Sequence, residues 1–149
     1  MSNRHTISLT VPTYLSDWAV WHWHGKEKTI EPFRGDLVCS YMKMHLTDHN
    51  IDKCSDEATL FVLVPRFRDL DTRKFHFMTQ RYRTGLKKLI RMMFLHDYMT
   101  CMLRQPLTRY PLYENIERWM HARKIEYNDK NYESLRKIYF RNAKIVKKY

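Results

Sequence analysis

The segment from Thr79 to Arg104 constrains the fold more strongly than any other part of the chain. Its apolar side chains recur every three or four residues, at Tyr82, Leu86, Leu89, Ile90, Met93 and Phe94. This spacing places them on one face of a helix, which has to end before Pro106. Gly85 costs a helix about 1 kcal/mol relative to alanine, which leaves open whether the first turn is a separate piece. The sequence therefore predicts one long central helix.

Two short strands are predicted in the N-terminal part. Residues 6–11 alternate Ile7, Leu9 and Val11 with hydroxyl side chains, which is the period of a half-buried strand. Residues 59–64 form a continuous apolar run closed by Pro65, and this composition indicates a buried strand.

Two helices and an extended piece are predicted between these strands. The first helix follows Pro12, with Thr13 or Ser16 as its cap and Gly25 as its stop. Residues 29–33 form the extended piece. The second helix begins at Asp36, which is its expected cap. A polar loop at residues 47–57 follows this helix.

The last third of the chain predicts two further helices. Pro111 opens the first, residues 124–128 form a turn, and Asn128 or Asp129 caps the second. The fold class predicted is α+β, mainly helical, with a small N-terminal sheet from strands near 6–11 and 59–64 and three C-terminal helices.

Length and composition predict a single domain over residues 1–149. The chain is 44% hydrophobic and has only three glycines, so it can bury one core. No apolar stretch approaches the roughly 20 residues of a membrane span, and the first residues lack the apolar core of a signal peptide, so we expect a cytoplasmic protein. The three cysteines, Cys39, Cys54 and Cys101, form no CxxC pair and are expected to be reduced.

Charge is distributed unevenly along the chain. Residues 1–64 hold 6 Lys or Arg against 8 Asp or Glu, whereas residues 65–111 hold 11 against 3 and residues 112–149 hold 10 against 5. The domain thus divides into a net negative α+β part, 1–64, and a basic helical part, 65–149. Such asymmetry is typical of a surface that faces a polyanion, and nucleic acid is the first candidate. Solubility or an acidic protein partner remain the alternatives.

The last predicted helix carries a stripe of basic residues. Its members are spaced four, three and four apart: Lys137, Arg141, Lys144 and Lys148, with Arg136 and Lys147 on the flanks. The two last helices resemble the helix-turn-helix class, in which the second helix enters the major groove. In that arrangement the cations would neutralise phosphate, and Arg141 and Asn142 would contact base edges. A solvated lysine-rich helix is the alternative, because the turn has no glycine and no diagnostic motif is present.

A second basic cluster lies on the long central helix. Its members are Arg81, Arg83, Lys87, Lys88 and Arg91. In the segment before the helix, Arg66, Arg68, Arg73 and Lys74 are interleaved with Phe67, Phe75 and Phe77. Charge combined with aromatic stacking suits RNA or unpaired DNA as well as a duplex backbone. The aromatic side chains are more often core residues.

Two further resemblances concern the order of elements. The strand, Pro12 and two helices are similar in order to a ribbon-helix-helix monomer, whose strand pairs with its twin in a dimer. The strand ISLTVP, the Tyr-Leu-x-x-Trp helix start, a second strand ending in Val-Pro and the basic helical tail resemble short uncharacterised proteins of phages and mobile elements in Bacteroides-type bacteria. The second resemblance implies a genetic context and no functional residue.

Enzymatic and metal sites are not predicted. His22 and His24, or His45 and His49, could pair with Cys39 or Cys54 as metal ligands, but no HExxH or paired CxxC supports a site. The sequence also lacks a P-loop, a GxGxxG and a GxSxG motif. We therefore expect no metal, no cofactor and no catalytic residue, with a metal-dependent nuclease as the weakest alternative.

The function predicted is a non-enzymatic nucleic-acid-binding protein that prefers DNA to RNA, a regulator or accessory factor of a phage or mobile element. The alternative is a structural or interaction protein, an assembly component or inhibitor that docks on an acidic partner. The aromatic segment Trp18–Trp23 motivates that alternative, since it would form an exposed surface for a protein partner or a homodimer. No membrane partner is expected.

Overall fold

The computed structural model of the chain describes residues 4–48, 57–104 and 111–146, with side chains of the last helix described as far as residue 143. The strands are β1 (Thr6–Leu9), β2 (Thr29–Ile30) and β3 (Leu60–Leu63). The helices are α1 (Thr13–His22), α2 (Leu37–His45), α3 (Gln80–Arg104), α4 (Leu112–Ala122) and α5 (Asp129–Val146). The predicted class, mainly helical α+β with a small N-terminal sheet and three C-terminal helices, is confirmed.

The two predicted strands pair with each other inside the chain. β1 runs antiparallel to β3, with Thr6 opposite Leu63 and Leu9 opposite Leu60. β2 lies parallel to the other edge of β3, which gives the order β1-β3-β2. β2 also intervenes between α1 and α2. This order differs from that of a ribbon-helix-helix monomer, in which the strand and two helices follow one another and the strand pairs with its twin.

The helix caps agree with the sequence at α2 and α5 and differ at α1. The Asp36 carboxylate accepts the backbone N–H of Val38 at 3.0 Å, and the Asn128 side chain accepts that of Asn131 at 2.8 Å. Neither Thr13 nor Ser16 caps α1, whose N-cap is Pro12. Their hydroxyls make tertiary contacts instead. Thr13 donates to Asn131 Oδ1 and Ser16 donates to the Thr59 carbonyl.

The predicted stop at Gly25 works through packing and not through its own conformation. α1 ends at His22, and the left-handed residue is His24, with φ of 53°. The Gly25 N–H donates to the Val20 carbonyl at 2.8 Å. A β carbon on Gly25 would overlap the Thr29 carbonyl oxygen, so glycine is needed for this close approach.

The core is built on α3. Side chains four residues apart form its buried ridge: Leu86, Ile90, Phe94, Tyr98 and Met102. α1, α2, α4 and α5 all pack against this helix, and the sheet contributes Ile7, Leu9, Ile30 and Val62 to the same cluster. The helix is continuous through Gly85, so the first turn is not a separate piece.

Gly85 makes room for Tyr41 of α2. The Tyr41 hydroxyl donates to the Tyr82 carbonyl at 2.8 Å, and a β carbon at residue 85 would overlap this hydroxyl. We therefore expect Gly85→Ala to lower the free energy of unfolding by about 1 to 3 kcal/mol, as overpacking does. In a Tyr41→Leu background the same substitution should become stabilising by up to about 1 kcal/mol through helix propensity. Urea denaturation of the four proteins in this cycle tests it, and an equal effect in both backgrounds would contradict the contact.

Candidate nucleic-acid interface

The basic residues of α3 divide between two sides of the helix. Arg81 lies near Tyr41 of α2. Burial raises the pKa of Tyr41, and the positive charge of Arg81 opposes that rise. Lys87 and Arg91 are four residues apart, and Tyr98 follows at helical spacing, so these three share the other side. Lys88 is exposed, whereas Arg83 is half-buried and already makes an interaction within the chain. The predicted cluster is therefore not one surface.

α5 packs against α3. The Tyr98 hydroxyl donates to the Leu135 carbonyl at 2.8 Å, which fixes one point of contact. Towards the start of α3, the positive charge of Arg91 lowers the pKa of Tyr14 in α1, and the charge of Arg141 in α5 has the same effect. Both arginines are exposed. One member of each predicted basic cluster thus acts electrostatically on Tyr14, which was not predicted as a functional residue.

Tyr14 lies within electrostatic range of both arginines. Its ring packs against Phe94, with ring centroids 5.4 Å apart, and only 7% of the residue is exposed. Burial raises the pKa of Tyr14, and the charges of Arg91 and Arg141 oppose this without overcoming it. The hydroxyl therefore stays protonated at neutral pH. Two guanidinium groups and one O–H donor, held on three helices, form an arrangement that can bind a phosphate oxygen.

The rest of the α5 stripe is only partly described. Lys137 and Arg141 are exposed and four residues apart. Arg136 pairs with Glu133 at 3.6 Å and lies over the Phe140 ring. The side chains of Lys144, Lys147 and Lys148 lie outside the described residues.

Asn142, predicted to contact a base edge, is engaged with its own helix. Its side-chain amide donates to the Ile138 carbonyl at 2.8 Å. A bidentate contact to adenine uses the amide oxygen and one N–H. Asn142 would therefore have to turn away from Ile138 or share its amide group.

The Trp18–Trp23 segment is not the exposed aromatic surface that the sequence predicted. Trp18 and Trp23 are 0% and 3% exposed. The Trp18 indole N–H donates to Asp97 at 2.9 Å, and that of Trp23 donates to Asp36 at 2.6 Å. The prediction was wrong because both indoles find carboxylate partners on other elements and can therefore be buried. Trp21 is half-buried under the Arg123 guanidinium, which is 4.2 Å from its ring centroid.

Asp97 and Arg123 form a polar junction that was not predicted from the sequence. Arg123 donates to both carboxylate oxygens of Asp97, at 2.9 and 3.0 Å, and the Arg123 and Asp97 side chains are 19% and 25% exposed. Burial alone would raise the pKa of Asp97, but hydrogen bonds from Arg123 and Trp18 outweigh it and hold the pKa below its usual range. Asp97 is the only acidic residue of α3, which was the one available signal.

The histidines predicted as possible metal ligands are used in packing. His22 stacks on Trp18 with centroids 4.8 Å apart, and His45 stacks on Tyr82 at 4.1 Å. Within residues 4–48, 57–104 and 111–146, no three His, Cys, Asp or Glu side chains are grouped so as to hold a metal ion. His49 and Cys54 fall outside these ranges.

Among the helices that the structure describes, none combines the length and the apolar character needed to cross a bilayer.

Comparison with known proteins finds no relative. No family model, no curated protein and no solved structure matches the chain.

Proposed function

We propose that the protein is a non-enzymatic, cytoplasmic nucleic-acid-binding protein that binds duplex DNA through α3 and α5. The observation that carries the proposal is that two exposed arginines, Arg91 and Arg141, lie on helices that pack together, and the charges of both act on the Tyr14 hydroxyl. The net charge of +11 adds to it, because a basic surface attracts a polyanion over a long range. In this proposal the protein is a regulator or accessory factor of a phage or mobile element.

The two arginines are suited to phosphate more than to bases. A guanidinium binds phosphate oxygens in a fork, and backbone contacts position a protein on a duplex without reading its sequence. Lys87 and Lys137 lie one helical turn from Arg91 and Arg141 along the same sides and extend the basic surface. The helix-turn-helix resemblance would place α5 along the duplex as its second helix.

Replacing both arginines tests the proposal. The variant Arg91→Gln with Arg141→Gln should bind labelled duplex DNA more weakly, and its slope of log K against log salt should be flatter by about 2, since each lost phosphate contact removes about 0.9. Tyr14→Phe should weaken binding with little change in slope, because the hydroxyl is neutral. Fluorescence anisotropy across a salt series measures both quantities.

A matched control removes two charges at the other ends of the same helices. Arg104 and Lys130 are exposed, and each lies roughly 15 to 20 Å along its helix from the proposed contact. Arg104→Gln with Lys130→Gln should leave the slope nearly unchanged. Equal slopes for the two double variants would rule out the α3 and α5 surface. Displacement of DNA by an acidic protein at low concentration would favour the protein-docking alternative.

A further inference from the structure

A second basic recess lies between the start of α2 and the segment that follows β3. It is an open cavity of about 1110 Å³. Five basic side chains line it: Arg4, Arg34, Lys43, Arg66 and Arg68. This volume is close to that of sites that bury a small ligand, and it can admit a nucleotide or a single strand.

The acidic residues of the recess are already neutralised. Arg4 pairs with Glu31 at 2.7 Å, and Lys43 pairs with Asp69 at 2.6 Å. The first pair links the segment before β1 to the wall at residues 31–35, and the second links α2 to the segment at 65–69. Five basic side chains and only two carboxylates, Glu31 and Asp69, line the recess, so it carries a net positive charge.

Arg34 and Arg68 are the residues best placed to bind a ligand. Both are exposed, and within the described part of the chain neither makes an ion pair or a hydrogen bond. A cation without a partner in a concave site raises the local concentration of anions. Phe67, half-buried on the same wall, adds an aromatic ring that can contact a base.

This recess is separate from the Tyr14 site. It adjoins α2, which reaches α3 through the contact of Tyr41 with Gly85 and Tyr82. Arg91 lies on the other side of α3, where Tyr98 meets α5. A duplex held by α3 and α5 would therefore leave the recess open to a second ligand.

We propose that this recess binds the phosphates of an unpaired nucleic-acid strand through Arg34 and Arg68. The inference rests on the proposed function and adds a second substrate class to it. Phosphate is the shared chemistry of a strand and a free nucleotide, and the strand is favoured because the recess combines two cations with the Phe67 ring and adjoins a second cavity that reaches Arg73.

The test compares three double variants of the full chain on two ligands. Arg34→Gln with Arg68→Gln should flatten the salt slope for a labelled oligothymidylate by about 1.4, since each contact to a single strand contributes about 0.7. Duplex binding should be unchanged. Arg91→Gln with Arg141→Gln should show the opposite pattern, and Arg104→Gln with Lys130→Gln should affect neither ligand.

The possible results distinguish the recess proposal from the proposed duplex binding. If removal of Arg34 and Arg68 leaves the oligothymidylate slope unchanged, the recess proposal is overturned, even when duplex binding depends on Arg91 and Arg141. If the protein binds no duplex, but replacing Arg34 and Arg68 abolishes its binding of the single strand, the proposed duplex binding is wrong and the recess proposal is supported. Displacement of the oligothymidylate by thymidine monophosphate at similar concentration would overturn the strand in favour of a free nucleotide.

Discussion

Asp97→Ala is expected to lower the free energy of unfolding by about 3 kcal/mol. The substitution leaves the guanidinium of Arg123, which is 19% exposed, without its counterion, and it leaves the buried indole N–H of Trp18 without an acceptor. Removing one partner of a buried ion pair costs about 3 to 5 kcal/mol, and the residual exposure of this pair favours the lower end. Urea denaturation followed by tryptophan fluorescence measures the change.

A surface ion pair supplies the control for this prediction. Glu133 pairs with Arg136 at 3.6 Å, and both side chains are about half exposed. Glu133→Ala should cost less than about 1 kcal/mol, as exposed pairs do. Asp97→Asn should fall between the two, because the amide oxygen can still accept one hydrogen bond. If Asp97→Ala costs no more than Glu133→Ala, the junction does not stabilise the fold.

The pair should also behave as one unit. Once Asp97 is absent, Arg123→Ala removes a buried charge that has no partner, so its additional cost should be small. What remains is the packing of Arg123 over Trp21 and Trp119, at 4.2 and 5.5 Å from their ring centroids. A double-mutant cycle separates this packing from the ion pair, and strict additivity would show that the two side chains act independently.

Secondary structure could be predicted here wherever the signal is local. The apolar spacing of α3, the alternation of β1 and the Asp36 cap depend on neighbours within a few residues, and all three predictions are confirmed. The caps of α1 were wrong because Thr13 and Ser16 use their hydroxyls on residues far along the chain. A local pattern cannot show that such a partner exists.

The same limit explains what the sequence missed in the candidate site. Helical spacing identified Arg91 and Arg141 separately, but their common electrostatic effect on Tyr14 depends on the packing of α1 and α5 against α3. Trp18 and Asp97 are 79 residues apart, so the partner that allows Trp18 to be buried was not visible. The arginines could thus be predicted as charges, whereas Tyr14 required the tertiary structure.

Phe94→Ala should cost about 3 to 5 kcal/mol, the range for removing a buried aromatic side chain. Phe94 is fully buried, and its ring lies against Tyr14, Trp18, Tyr98 and Trp119, with centroids between 5.4 and 5.8 Å away. These rings belong to α1, α3 and α4, so the cavity left by alanine would open where three helices meet. Guanidinium denaturation measures the loss against the total stability of about 5 to 15 kcal/mol that is usual for a domain.

Phe140→Ala is the matched control, since it makes the same substitution at a ring that is 43% exposed. Phe140 contacts only Tyr139 and Arg136 among the ring and cation contacts of the described residues, and its loss should cost about 0.5 kcal/mol, as for other surface positions. Phe94→Leu keeps most of the apolar volume and should cost less than about 2 kcal/mol. Because the Tyr14 ring packs against Phe94, duplex binding by this milder variant also tests whether the core positions the Tyr14 hydroxyl. If Phe94→Ala and Phe140→Ala are equally mild, the core is not organised around α3 as described.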